Sequence, residues 1–432
     1  MNKLKKYSFS DLYSISSGIT TTKDQAGHGS PFLSFSTVFN NYFLPDVLSE
    51  KMYTSEKEQE TFSIREGDIF LTRTSEVIDE LAMSSIAIKN YPYATYSGFL
   101  KRLRPKVNNI VYPKYMAFYL RSYIFRKTIN NNAVMTLRAS FNEDIFSYLN
   151  VYLPDYEEQV KIGDLLFLLY EKISVNKKII ENLEVISKTI YDYWFVQFNF
   201  PNADTKPYKS DMGKMVYNSI LKRNVPEDWQ VDTLWNIADF LNGLPMQKFR
   251  PAPHEASLPV VKIREMNNGI DNDSERASIN IPKKALIKNG DLLFSWSATL
   301  DLKIWSGGDA ALNQHIFKVL PKQKYLNAKS YVYFELLNYL NHFKMIANLR
   351  KTTMGHITTE HLKQAHILVP PSSLIESFEK KIESNFQMQQ KLNIENLKIQ
   401  ELMNWLVPLL INGQISIRDA EESIAKTFEQ NG

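Results

Sequence analysis

The chain repeats itself. The phrase GDIFLTRTS runs from Gly67 to Ser75, and a near-copy, GDLLFSWSA, runs from Gly290 to Ala298, 223 positions later (290 − 67). An internal repeat governs architecture before any local propensity does, because each copy must bury the same faces. The agreement extends well beyond one phrase. YMAFYLRSYIFRKTI, from Tyr115, lies over YVYFELLNYLNHFKMI, from Tyr331, and matches Tyr115 with Tyr331, Phe118 with Phe334, Leu120 with Leu336 and Tyr123 with Tyr339. The same offset carries Thr136 onto Thr352 and Pro154 onto Pro370. ASFNEDIFSYLNVYLP overlies GHITTEHLKQAHILVP, LYSI (from Leu12) overlies LWNI (from Leu234), and PFLSFSTVFNN (from Pro31) overlies PVVKIREMNNG (from Pro259).

Both halves read in one order. Short apolar or alternating runs bounded by Gly and Pro predict strands, and Gly67 and Gly290 open two of them. One amphipathic helix follows in each half, roughly residues 113 to 131 and 327 to 349. A polar turn, a short strand (NVYLP, HILVP) and a proline close the unit.

After that proline each half changes character. From Asp155 to Phe195 there is no proline and one glycine, Gly163. A seven-residue register puts Ile162, Leu169, Asn176, Leu183 and Ile190 at one seam position, and Leu165, Lys172, Ile179, Ile186 and Tyr193 at the other. From Ser372 to Leu410 the same template gives Ile375, Ile382, Gln389, Asn396 and Met403, with Phe378, Asn385, Leu392, Ile399 and Leu406. Neither stripe is stable in water alone, so the two helices are expected to pair as a coiled coil. Asn176, Asn385 and Asn396 would weaken the seam but fix its register. Pro408 and then Asn412-Gly413 are expected to stop the second helix. A helix of about 40 residues is about 60 Å long. Paired antiparallel, two such helices would form a ruler with a reading head at each end, longer than the ~34–36 Å repeat of B-DNA. That geometry favours DNA over a small ligand, which needs no two matched sites.

Composition narrows the class. The chain has 432 residues, 44% apolar and 12% aromatic, enough for two or three cored domains. It has no cysteine, which excludes disulfides, thiolate catalysis and thiolate-bound zinc. Neither a membrane-spanning run nor the apolar stretch of a secretory leader is visible, so a cytoplasmic protein is expected. Net charge is only +4. Basic residues gather locally: Lys101, Arg102, Arg104 and Lys106; Arg121, Arg126, Lys127 and Arg138; Lys248, Arg250, Lys262 and Arg264; Lys344, Arg350 and Lys351. Each cluster taken singly reads as a solvated face. The stretch from Ser416, with Asp419, Glu421, Glu422 and Glu429, reads as a fraying tail.

GDLLFSWSATLDLKIWSGGDAALNQHIFKVLP (Gly290 to Pro321) resembles the second target-recognition domain of type I restriction-modification specificity subunits. GDIFLTRTSE and SGFLKRLRP agree in the first half, and DYWFVQFNFPNADTKPYKSDMGKMVYN with VPEDW (Asp192 to Trp229) is similar to that family's linker. The resemblance spans nearly the whole chain. It implies an α+β fold of two pseudo-repeated target-recognition domains, joined by two long helices in an antiparallel coiled coil. The expected boundaries are 1–154 and 226–370 for the domains and 155–198 and 371–412 for the helices. Residues 199–225 would form the linker and 413–432 the tail. It also implies a non-catalytic subunit binding double-stranded DNA, two methyltransferase subunits and restriction/motor subunits. The chain itself would bind no cofactor or metal: S-adenosylmethionine would sit in the methyltransferase partner, ATP and magnesium in the restriction partner.

Base readers are sought among polar residues of turn-rich segments beside strands. In the first half these are Lys23, Gln25, His28, Arg73, Thr74, Arg138 and Ser140. In the second they are Gln247, Lys248, Arg250, Ser295, Asn313, Gln314, Lys351, Thr352 and His356, with Trp296 more a packing than a stacking residue. Asp291, Asp301 and Lys303 superficially fit a magnesium-dependent nuclease, but the first half has no matching lysine after Asp79. His356, His361 and His366 are spaced five apart, not the four that puts two ligands on one helical face. They are expected in a turn, a short helix and a strand. Neither a phosphate-binding loop nor an amine-methylation motif is present. The rival readings are that nuclease and a coiled-coil scaffold without DNA specificity.

Overall fold

The computed structural model describes residues 4–75, 80–132, 139–141, 143–297, 299–349 and 356–429. The chain divides into two compact units, one of Met1–Ile173 with Lys398–Gly432 and one of Ser174–Leu397. Each unit takes part of both long helices, Tyr156–Tyr191 and Ser372–Ile411.

In the first unit, strand Lys5–Ser8 pairs antiparallel with Asn150–Leu153, which brings the start and end of this segment of the chain together. A four-stranded antiparallel sheet runs in the order Tyr13–Ser17, Leu100–Pro105, Ile69–Thr72, Ser84–Ile86. A second sheet runs Lys51–Met52, Ala26–Leu33, Thr95–Tyr96, with the last pair parallel. Ile69–Thr72 is buried at all four positions, which is why it reads as an unbroken apolar run. The helical segment is interrupted: Pro113–Tyr119 and Tyr123–Asn132 stand where one helix is expected, with a turn at residues 120–122 between them.

The second unit repeats this plan with one more strand in its second sheet. Its antiparallel sheet runs Ala238–Asn242, Ile316–Pro321, Leu292–Ser295, Asp301–Ile304. Its other sheet runs Arg276–Ser278, Ser257–Val261, Ala310–Leu312, Leu286–Ile287, again with one parallel pair. The helix here is continuous, Lys329–Leu349. The linker packs closely. Phe198, Phe200, Val225 and Trp229 are buried in the unit's core, and Met215–Asn218 pairs with Arg223–Pro226 as a hairpin.

The repeated phrase is a turn. Gly67 and Gly290 take φ of +83° and +91°, a region that costs glycine little. The following aspartate closes the turn: Asp68 Oδ2 accepts the Arg65 N–H at 2.7 Å, and Asp291 Oδ2 accepts the Lys288 N–H at 2.8 Å. Each carboxylate then meets a cation from the neighbouring strand, Arg104 at 2.6 Å and Lys318 at 2.7 Å. Gly-Asp recurs because it closes the turn and ties it to the neighbouring strand in both units.

Within the second unit the long helices pair antiparallel. Asn176 Nδ2 donates to Asn396 Oδ1 at 2.9 Å and to Glu395 at 2.7 Å, and Asn385 Nδ2 donates to Ser187 Oγ at 3.1 Å. Advancing from Asn176 to Ser187 on one helix thus retreats from Asn396 to Asn385 on the other. Within the first unit, Ile162, Leu166 and Leu169 share a core with Ile399, Met403 and Leu406. The second helix buries its expected seam: Ile375, Phe378, Ile382, Leu392, Ile399, Met403 and Leu406. The first helix departs from expectation at one seam position. Ile162, Leu169 and Asn176 are buried and Leu183 and Ile190 half-buried, but Leu165 is only half-buried and Lys172 is exposed. Ile179 and Ile186 are 39% and 50% exposed, and Tyr193 is exposed too. Their place is taken one residue later by Leu166, Ile173, Ile180, Ser187 and Trp194. Adjacent apolar pairs such as Leu165-Leu166 and Ile179-Ile180 fit either three- or four-residue spacing, so composition could not choose.

Two endings also differ from expectation. Pro408 lies inside the second helix, which runs on to Ile411. What stops it is Gly413, at φ +65°, whose N–H bonds Leu410 O while Gln414 N–H bonds Leu409 O. The expected tail is a helix, Ile417–Glu429, opened by a reciprocal Ser416–Asp419 cap. It holds because Ala420 is buried and Ile417 and Ile424 pack on the first unit's core.

Candidate nucleic-acid interface

The second unit opens a groove of about 810 Å³ at the ends of its strands. Gln247, Arg250, Asn313 and Gln314 line it, together with Lys262, Glu275, Arg276 and His315. Lys262 ion-pairs with Glu275, and Arg276 is tied to the Ser257 carbonyl at 2.6 Å. Arg250 is exposed, and no hydrogen bond or ion pair engages its side chain among the described residues. The groove floor is the turn Asn313–His315. Asn313 Oδ1 accepts the His315 N–H at 3.3 Å, and Gln314 Nε2 lies 3.3 Å from His315 Nε2. Trp296 stands behind: its ring centroid is 5.6 Å from His315 and 5.5 Å from His356, and its Nε1 donates to Asn242. It also packs on Phe317, as a packing residue would. Lys248 is exposed on the turn Met246–Lys248.

The first unit builds the same tip. Arg73 occupies the place of Trp296: each donates its N–H to the turn, Arg73 to Phe99 O and Trp296 to His315 O. Each also accepts a later N–H, from Phe141 and Ile357 respectively. Arg73 is exposed, Thr74 half-buried, and Ser140 pairs with Thr74 across a two-residue ladder. His28 sits in a bulge between Gly27 and Gly29, both at φ +89°, with its ring against Tyr53. Lys23 is exposed on the turn Lys23–Gln25, the counterpart of Met246–Lys248.

The profile of the type I restriction modification DNA specificity domain matches residues 1–185 and 226–404. The chain belongs to this family. The specificity chain is 22% identical to the Type I restriction enzyme HindI specificity subunit of Haemophilus influenzae, over 96% of this chain and all of that one. It is 21% identical to the Type I restriction enzyme MjaIX specificity subunit of Methanocaldococcus jannaschii, over 93% and 90%. Its fold resembles the type I restriction-modification S subunit from M. genitalium, with a TM-score of 0.58 and 12% identity over 95% and 96% of the two chains. As a specificity subunit it is a recognition chain, not a catalytic one.

Several candidates in the specificity chain serve the fold. Ser295 is fully buried: its hydroxyl donates to Thr299 O at 2.6 Å and accepts the Asp301 N–H at 2.7 Å. Gln25 accepts the Thr22 N–H at 2.9 Å and donates to Tyr53 O. Arg138, Lys351 and Thr352 lie outside the described residues. The first basic cluster is not a solvated face. Lys101 and Arg102 are buried, with Arg102 donating to Ser63 O at 2.7 Å, and Arg104 holds Asp68. Arg121 is spent on carbonyls at Val38, Phe39, Asn41 and Ser84. Asp291 and Asp301 stand at opposite ends of one hairpin, since Ser295 faces Asp301 while Leu292 faces Ile304. Lys303 donates to Asn267 O. The nuclease constellation therefore does not assemble. His361 and His366 fall in a short helix and a strand, as expected, whereas His356, expected in a turn, forms an isolated antiparallel bridge with Ser297. Sequence reading missed Phe99, Tyr53, Arg276 and His315, and the alignment of SGF under NQH was the signal available for Phe99 and His315.

Proposed function

We propose that each unit reads one half of a bipartite site in double-stranded DNA, while the paired long helices set the gap and dock two methyltransferase subunits. Restriction/motor subunits join that complex. S-adenosylmethionine is held by the methyltransferase partner, ATP and magnesium by the restriction partner, and adenine is the base modified. The observation that carries this reading is the recurrence of one scaffold with one polar tip, once per unit. Exposed Lys23, Arg73, Lys248 and Arg250 supply phosphate contacts, so affinity falls as salt rises. No helix among the described residues is long and apolar enough to cross a membrane; a chain that reads chromosomal and invading DNA would work in the cytoplasm, where that DNA lies. The test is to map methylated adenines in cells that carry or lack the gene, and again after residues 226–370 are exchanged for another such domain. One half-site should change and the other persist; a change in both would contradict the assignment.

A further inference from the structure

The two tips share a backbone and differ in side chains at three successive positions. Ser97–Gly98–Phe99 and Asn313–Gln314–His315 occupy the same turn, fixed by the same bonds. Ser97 Oγ accepts the Phe99 N–H at 3.2 Å, as Asn313 Oδ1 accepts that of His315. Leu100 N–H bonds Ser97 O, and Ile316 N–H bonds Asn313 O. A glycine presses on each turn. A Cβ on Gly18 would lie 2.2 Å from Ser97 O, and one on Gly243 would lie 2.3 Å from Asn313 O. No side chain fits there, so the turn is clamped between glycine and strand in both units. Phe99 is 66% exposed although it is a large apolar ring, and Gln314 faces the groove.

We propose that this three-residue turn is the specificity-determining element of each unit. This rests on the reading of the two units as half-site readers. A rigid turn whose side chains alone vary can change the base preferred without changing how the domain docks. Asn313, like Ser97, is buried and holds the turn, so in the second unit it is the Gln314 amide, lining the groove, that offers the paired donor and acceptor that match an adenine edge. In the first, Phe99 has no polar group and offers the apolar contact that a thymine methyl accepts.

The test uses the full chain expressed with its methyltransferase partner, with methylated adenines mapped on host DNA and melting temperature confirming the fold. Gln314→Ala should lower discrimination about tenfold at one or two positions of one half-site. Gln314→Glu should move the preference there toward cytosine, whose amino group a carboxylate accepts. Phe99→Ala should relax the other half-site only. Folded variants that keep the parental motif, or one variant that relaxes both halves, would overturn the assignment while leaving the half-site reading standing. A parental chain that directs methylation without a two-part motif would sink both.

Discussion

Glu335 places a carboxyl in the core of the second unit. Burial pushes its pKa up from 4.5 to about 7, against the Tyr191 hydroxyl, which donates to it at 2.6 Å and favours the charged form. The folded chain keeps a proton that the unfolded chain releases from about pH 4.5 upward. Stability should therefore fall as pH rises from 4.5 to 7 and stay lower above that. Glu335→Gln should flatten the profile, by about 3 kcal/mol across the window, and melting the two proteins between pH 5 and 8 checks it. The first unit has Tyr119 at the aligned position and supplies the internal contrast. At this scale sequence reading was weakest. Arg121 and Ser295 carry the chemistry of a binding residue, and only their carbonyl partners from distant segments show that they are structural.

At the scale of elements the long helices give the sharpest test. Seam residues repeat every seven positions, and the partner helix decides which of two adjacent apolar residues is buried. Ile382→Ala, at a fully buried site, should cost about 3 kcal/mol. Ile186→Ala, on the exposed side, should change stability by less than about 0.5 kcal/mol. Urea unfolding of both variants distinguishes this seam from the one-residue-earlier alternative, which would bury Ile186 and make its loss about as costly as that of Ile382. Both helices, their lengths and the second seam are legible in the sequence because periodicity is a property of one segment. The first seam's true position is not, because Leu165-Leu166 and Ile179-Ile180 satisfy either spacing until Asn396 and Asn385 are brought opposite.

For the whole molecule, the proposal that the helices measure the gap has a quantitative consequence. Seven residues inserted between Asn176 and Ile186, with seven more opposite them between Phe386 and Asn396, keep the seam in phase. The pair lengthens by about 10 Å, which is about three base pairs of duplex. The gap in the methylated motif should widen by about three; an unchanged gap would remove the ruler. The sequence by itself determined the duplication, the strands opened by Gly67 and Gly290, the two long helices and the family, since repeats, turns and periodicity are written locally. Tertiary structure decided which polar residues remain at the surface. A lysine or arginine is free only where no carbonyl or carboxylate from elsewhere in the chain comes within bonding distance. That is why Arg102 and Arg104 are consumed by the fold while Arg73 and Arg250 are left facing outward.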